Sequence, residues 1–179
     1  MELLEKAYRL MLRAHGQQVR KTDGSPYIIH PLKVAKKLAR QNFSDEVISA
    51  AMVHDVLEDT KVSAEELKQE LGNKILQIIL PLSEDKSLDW EERKEKYIED
   101  VKNSSDETKA VSIADKIHNL EDLLSTHQNM GPGIWNKFNR PKDKKIWFER
   151  EMLKAFRKSW NHPMISEYEN LLKQVEKLD

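Results

Sequence analysis

Cysteine is absent from the 179-residue chain, which removes disulfides, thiolate zinc sites and cysteine nucleophiles from consideration. The lack of disulfides also fits a reducing compartment. An excess of one charge is missing too. Lys and Arg number 30 against 31 Asp and Glu, a formal net charge of −1. That balance argues against a general nucleic-acid binder, which needs a broad basic face. It leaves room for one small basic pocket, and a pocket is what a nucleotide needs. No window approaches the roughly 20 apolar residues that span a bilayer. The opening Met1-Glu-Leu-Leu-Glu-Lys lacks the apolar run of a signal peptide. A cytoplasmic protein without membrane or nucleic-acid partners is expected, and oligomeric state is left open.

Only five glycines and six prolines occur, and nearly every segment shows helical rather than alternating periodicity. Leu3, Leu4, Ala7, Leu10, Met11 and Ala14 recur at spacings of three and four and predict a first helix. A polar loop follows from Gly16 to Pro26. Pro31 suits the first position of a second helix, because it lacks an N–H that would go unpaired there. Ser44 predicts the N-cap of a third helix running to about Thr60. Ser63 and Glu66 form a capping-box pattern, and Gly72 can end that helix. Lys74 to Leu80 predicts another helix, Glu84 to Ser87 a loop, and Asp89 the cap of a helix carrying Trp90 and Tyr97. Ser104 and Glu107 form a second capping box ahead of a long helix to about Leu124. Met130-Gly-Pro-Gly133 breaks the chain before two last helices. No repeat or composition shift marks a second domain, so residues 1–179 read as one all-α helical bundle.

The third helix ends in Met52-Val-His-Asp-Val-Leu-Glu-Asp-Thr60. On a straight helix, with His54 at zero, Glu58 falls at about 40°, Asp55 at about 100° and Asp59 at about 140°. These four polar residues prolong a stripe that begins apolar with Val47, Ile48, Ala51 and Met52. Carboxylates and an imidazole turned inward are costly unless paired or bound to a metal. The bland alternative is a solvated helix end. Asp115 and Asn119 lie one turn apart inside another apolar helix, and His30 sits where a loop enters a helix. Taken singly, Asp115 can be a surface aspartate and His30 a capping residue. Their joint occurrence in this order is harder to dismiss.

These segments resemble a known family. Tyr27-Ile-Ile-His-Pro31, His54-Asp-Val-Leu-Glu-Asp-Thr60 and Ala114-Asp-Lys-Ile-His-Asn119 are similar to motifs of the RelA/SpoT alarmone hydrolase domain, within the HD superfamily. Ala14-His-Gly-Gln-Gln-Val-Arg-Lys21 resembles the stretch that opens that domain. The likeness runs from about Tyr8 to Leu124 and points to the stand-alone small alarmone hydrolases. It implies a single HD-type hydrolase domain with one divalent metal ion, usually Mn2+, on His30, His54, Asp55 and Asp115. It implies that Glu58 and Asp59 position and deprotonate water, and that Arg20, Lys21 and Asn119 contact the nucleotide. Without the resemblance, Arg20 and Lys21 read as ordinary loop charge. Tyr27 is expected to pack into the core. Glu121 stands where the family usually carries Arg, which exchanges a cation for an anion near the expected substrate.

The implied reaction is hydrolysis of (p)ppGpp to pyrophosphate and GDP or GTP. Three alternatives stay open. One is an HD phosphatase for another phosphorylated nucleotide, such as an adenine alarmone or NADPH. Another is a catalytically silent nucleotide sensor, against which the Glu58-Asp59 pair speaks. The last is a helical protein-interaction domain, which has no use for an inward polar stripe.

Overall fold

The computed structural model describes residues 2–20 and 24–179. Ten α-helices occupy the described residues: α1 Leu3–His15, α2 Ile29–Arg40, α3 Asp45–Met52, α4 Val56–Asp59, α5 Ala64–Leu71, α6 Asn73–Ile79, α7 Trp90–Asn103, α8 Asp106–Met130, α9 Lys142–Ser159 and α10 Met164–Val175. Short 3-10 turns lie at Leu80–Leu82 and Gly131–Lys137. The expected all-α bundle is what forms. None of these helices is long and apolar enough to cross a membrane.

Helix α8 is the axis of the bundle. Its Val111, Ile113, Ala114, Ile117 and Leu120 are all fully buried, so apolar residues face inward on several sides, as expected of a helix surrounded by others. Helices α2, α3, α6, α7 and α10 pack around it. Leu10 and Met11 of α1, Leu38 of α2, Ile75, Ile78 and Ile79 of α6, Phe156 of α9 and Tyr168 of α10 complete the core. Helix α9 also buries one charge. The Glu149 carboxylate is fully buried, with Lys145 Nζ at 2.6 Å and the Tyr168 hydroxyl donating to it.

Several expected boundaries move. Pro31 is the third residue of α2, not the first. Any position in the first turn tolerates it, since none of those N–H groups has a partner within the helix. Ser63 caps α5 as expected, accepting from the Glu66 N–H at 3.1 Å. Ser44 and Asp89 occupy N-cap positions without a side-chain cap bond. Helix α8 is capped by Ser105, which accepts from the Thr108 N–H, and not by Ser104. Glu107 reaches Lys74 at 2.6 Å instead of closing a box. Helix α8 also runs beyond Leu124 to Met130 and stops at Gly131, whose φ of 60° suits glycine.

The largest departure is the third helix. It breaks after Met52 and resumes as the single turn α4. No glycine or proline marks the break. The Val53 and Val56 N–H groups bond to Ala50 and Val53 carbonyls three residues back, and His54 Nδ1 bonds the Ala51 carbonyl at 2.7 Å. A side chain bonded to the main chain here replaces regular α-helical continuation. The angular arrangement expected for a straight helix from His54 to Asp59 therefore does not hold.

Candidate active site

Four elements meet at a cleft of about 550 Å3. The first turn of α2 supplies His30, the α3–α4 break supplies His54 and Asp55, α4 supplies Glu58 and Asp59, and α8 supplies Asp115 and Asn119. The polar loop forms the cleft's edge. It is pinned by a lone antiparallel bridge between Val19 and Pro26, with the Arg20 N–H donating to the Ser25 carbonyl at 2.8 Å.

His30, His54 and Asp115 are buried, and they offer donor atoms that all lie within 4.8 Å of one another. His30 Nε2 is 3.1 Å from Asp115 Oδ1, and His54 Nε2 is 3.1 Å from Asp55 Oδ2. Asp55 Oδ2 is also 3.7 Å from His30 Nε2. The helix break is what brings both His54 and its neighbour Asp55 to the same point. Adjacent residues of a straight helix diverge by about 100°.

Each imidazole is held from behind. His54 is bonded through Nδ1 to Ala51, and its buried Nε2 has no hydrogen-bond partner. His30 Nδ1 lies 2.7 Å from His118 Nδ1. Burial, then the positive charge of His30 and Arg20, pushes His118 down to about 3. That shift favours a neutral His118 ring, and the 2.7 Å contact fits an Nδ1–H of His30 donated to it. Both Nε2 atoms are left facing the carboxylates, the orientation that outer hydrogen bonds impose on metal-ligating histidines. Burial alone would lower the His54 pKa, but Asp55 and Asp115 outweigh it and hold the imidazole well above its usual range. The cluster thus calls for positive charge, which a divalent cation supplies. Two imidazole nitrogens and carboxylate oxygens suit a borderline-hard divalent ion.

The remaining expected residues divide. Asn119 lines the cleft, and its amide donates one N–H to Asp115 Oδ1 at 2.6 Å, which leaves its other N–H and its oxygen for further contacts. Arg20 lines the cleft and is anchored to Asp122 at 2.8 Å, while its buried Nε has no partner. Lys21 lies outside the described residues. Glu58 is half-buried, and its Oε2 accepts from the Glu84 N–H at 3.4 Å. Burial, then the charges of Glu84 and Asp59, raises its pKa above the ordinary carboxylate value. Asp59 is exposed and paired with Lys86 at 2.9 Å.

Two expectations fail. Tyr27 is not a core residue; it is half-buried and its hydroxyl donates to Asp55. Glu121 does not face the cleft. It points to the other side of α8 and pairs with Lys37 at 3.1 Å, because residues 115, 119 and 122 share one helix face while 118 and 121 share another. Three residues escaped sequence reasoning: His118, Glu84 and Lys116, whose ammonium lies 3.0 Å from Asp115 Oδ2. A lysine and a histidine flanking Ile117 in an otherwise apolar helix were the available signal. Glu84 had none, since its place follows from a loop.

The HD domain model matches residues 7–138. The chain belongs to the HD domain family. Among curated HD relatives, a guanosine-3′,5′-bis(diphosphate) 3′-pyrophosphohydrolase of Danio rerio is 37% identical over 123 residues, covering 68% of each chain. The Homo sapiens protein of that name is 38% identical over 125 residues, covering 68% of this chain and 69% of the other. An Aquifex aeolicus protein of that name is 34% identical, but the match spans only 18% of its length. Two solved HD structures are similar. One, from Listeria monocytogenes EGD-e, has a TM-score of 0.78 and 32% identity, covering 83% of this chain and 99% of that one. The other is described as a metazoan ortholog of SpoT that hydrolyzes ppGpp and plays a role in starvation responses. Its TM-score is 0.81 at 26% identity, covering 97% and 96% of the two chains.

Proposed function

We propose that the chain is a metal-dependent nucleotide pyrophosphohydrolase that removes the 3′-diphosphate of guanosine-3′,5′-bis(diphosphate). The observation that carries this reading is a three-donor cluster beside a carboxylate of raised pKa, in a chain whose relatives bear that enzyme name. His30, His54, Asp55 and Asp115 would hold the ion; the mixed nitrogen and oxygen donors suit a borderline-hard divalent metal, which we take to be Mn2+ from the resemblance to the alarmone hydrolases. When bound, such an ion supplies Lewis acidity to phosphate oxygens and to water. We assign residues 1–179 to one functional domain and the protein to the cytoplasm.

The chain's own groups carry the rest. Glu58 takes the proton of the attacking water, and its raised pKa makes it a better base than an ordinary carboxylate. A new bond forms from that water oxygen to the phosphorus bearing the ribose 3′-oxygen. The bond from phosphorus to that 3′-oxygen breaks, its electron pair leaves with the ribose, and the 3′-oxygen takes up a proton from solvent to become the hydroxyl. Pyrophosphate and GDP result. Lys116 offsets charge near Asp115, and Tyr27 holds Asp55 in place. Asn119 orients Asp115 through its amide. Arg20, with Lys21, binds the nucleotide: a guanidinium offers paired donors to phosphate or a flat face to the base. Chromatography of products from a nucleotide panel, each incubated with protein and Mn2+, tests the assignment. Pyrophosphate with GDP is expected from the guanosine tetraphosphate. Orthophosphate alone, or turnover only of an adenine nucleotide, contradicts it.

A further inference from the structure

A second cleft of about 410 Å3 lies behind the metal cluster, between α2, α8 and α10. Its α2 wall is chemically unusual for this chain. Residues 29–40 contain three lysines and an arginine and no carboxylate, in a protein with 31 acidic residues. Lys33, Lys36, Lys37 and Arg40 recur at spacings of three and four, so they share one helix face.

Many cations elsewhere on the surface pair with a carboxylate, of their own helix or of another. Arg9 pairs with Glu5, Lys96 with Asp100, and Lys173 with Glu169. Among the described residues, the carboxylates that pair with the α2 cations come from other helices, and both go to Lys37. Glu121 of α8 lies 3.1 Å from its ammonium and Glu167 of α10 lies 2.7 Å away. Lys33, Lys36 and Arg40 have no carboxylate partner among the described residues. Like charges one turn apart repel, which costs helix stability, and a bound anion reverses that effect. Lys37, drawn back by its two acids, forms the rear of the cleft and leaves the other three cations to a ligand.

The floor is His118, a ring only 3% exposed. Its Nδ1 faces His30 Nδ1 at 2.7 Å, so one imidazole pair separates this cleft from the candidate metal centre. We propose that the cleft is a second anion site, which takes a diphosphate group through Lys33, Lys36 and Arg40. These cations span two turns of helix, roughly 10 Å, more than one phosphate can bridge. A nucleic-acid backbone needs a far larger basic surface than this, on a chain that is not near neutrality. The diphosphate can be free pyrophosphate or the 5′-diphosphate of a nucleotide. The binding claim stands without the catalytic reading.

Equilibrium dialysis of the intact, metal-loaded chain against radiolabelled inorganic pyrophosphate at low salt tests it. Two equivalents should bind, one in each cleft. The combined Lys33→Gln, Lys36→Gln and Arg40→Gln variant should weaken one of them by at least about tenfold, with no fall in Tm, since relief of like-charge repulsion can only raise it. Arg20→Gln should weaken only the other. A single equivalent, lost in the triple variant but kept in Arg20→Gln, supports the second site while removing the expected catalytic-cleft binding. Parallel dialysis with GDP separates the sources: equal affinity assigns recognition to the diphosphate alone, and tighter binding assigns it to a nucleoside diphosphate. Unchanged binding in the triple variant overturns the proposal and makes these residues a solvated face. Loss of all binding in Arg20→Gln overturns it as well.

Discussion

Glu58→Gln isolates the proposed base with little change in shape. The amide keeps an oxygen to accept the Glu84 N–H, now at 3.4 Å, so the loop behind it has no reason to move. What is lost is a carboxylate whose basicity is raised by burial first, and then by Glu84 and Asp59. A positioned general base is worth about two to four orders of magnitude in rate. Asp59 is a poor substitute, because Lys86 holds it in an ion pair at 2.9 Å on the exposed side of the cleft. We therefore expect kcat to fall about a thousandfold, or about 4 kcal/mol in barrier height, with metal stoichiometry unchanged. The pH profile gives a second readout. A base must be ionised to act, so wild-type kcat should rise with pH through a value above that of an ordinary glutamate and then level off. In Glu58→Gln that acid limb should disappear. Lys86→Met removes a charge that lowers the Glu58 pKa, so it should move the acid limb to higher pH. Turnover of Glu58→Gln within about threefold of wild type would refute the assignment of Glu58 as base. Loss of the metal in this variant would make Glu58 a ligand instead.

Other outcomes follow from the same geometry. Asp115→Ala should abolish bound metal, measured by elemental analysis, and activity with it; normal metal content in this variant contradicts the ligand set. Replacing Arg20 and Lys21 together by Ala should raise KM with metal content unchanged, and unaltered kinetics would return both to ordinary loop charge. Glu149 titrates below its usual value, because the Lys145 and Lys116 charges outweigh the effect of burial. Its contribution to stability is therefore complete above the pKa it has when unfolded, and is lost as pH falls through the lower folded value. Glu149→Gln should flatten that acid loss in a pH series of thermal melts, and an unchanged acid slope excludes Glu149 as its source.

Much of the site could be read from the chain because its donors lie within compact motifs on strongly periodic helices. His30 follows a loop and starts a helix, and Asp115 interrupts the apolar run from Val111 to Ile117. The local device that aims His54 and Asp55 was hidden. Helical periodicity runs through Val53 without a glycine or proline, and the break depends on His54 bonding the Ala51 carbonyl. Caps were legible to within one residue, since Ser104 and Ser105 are equally suited and only packing chooses between them. The side that Glu121 faces depends on a helix phase set by Asp115 being inside, which a motif comparison does not use. His118 went unread for a related reason: its partner, His30, lies 88 positions away.

Hydrolysis in 18O-labelled water, followed by 31P NMR of the products, tests the central claim most directly. With Mn2+ and guanosine-3′,5′-bis(diphosphate), the account predicts that the label enters released pyrophosphate, one oxygen per turnover, and never the ribose hydroxyl. Label found in orthophosphate, or no turnover by metal-loaded protein, would contradict it.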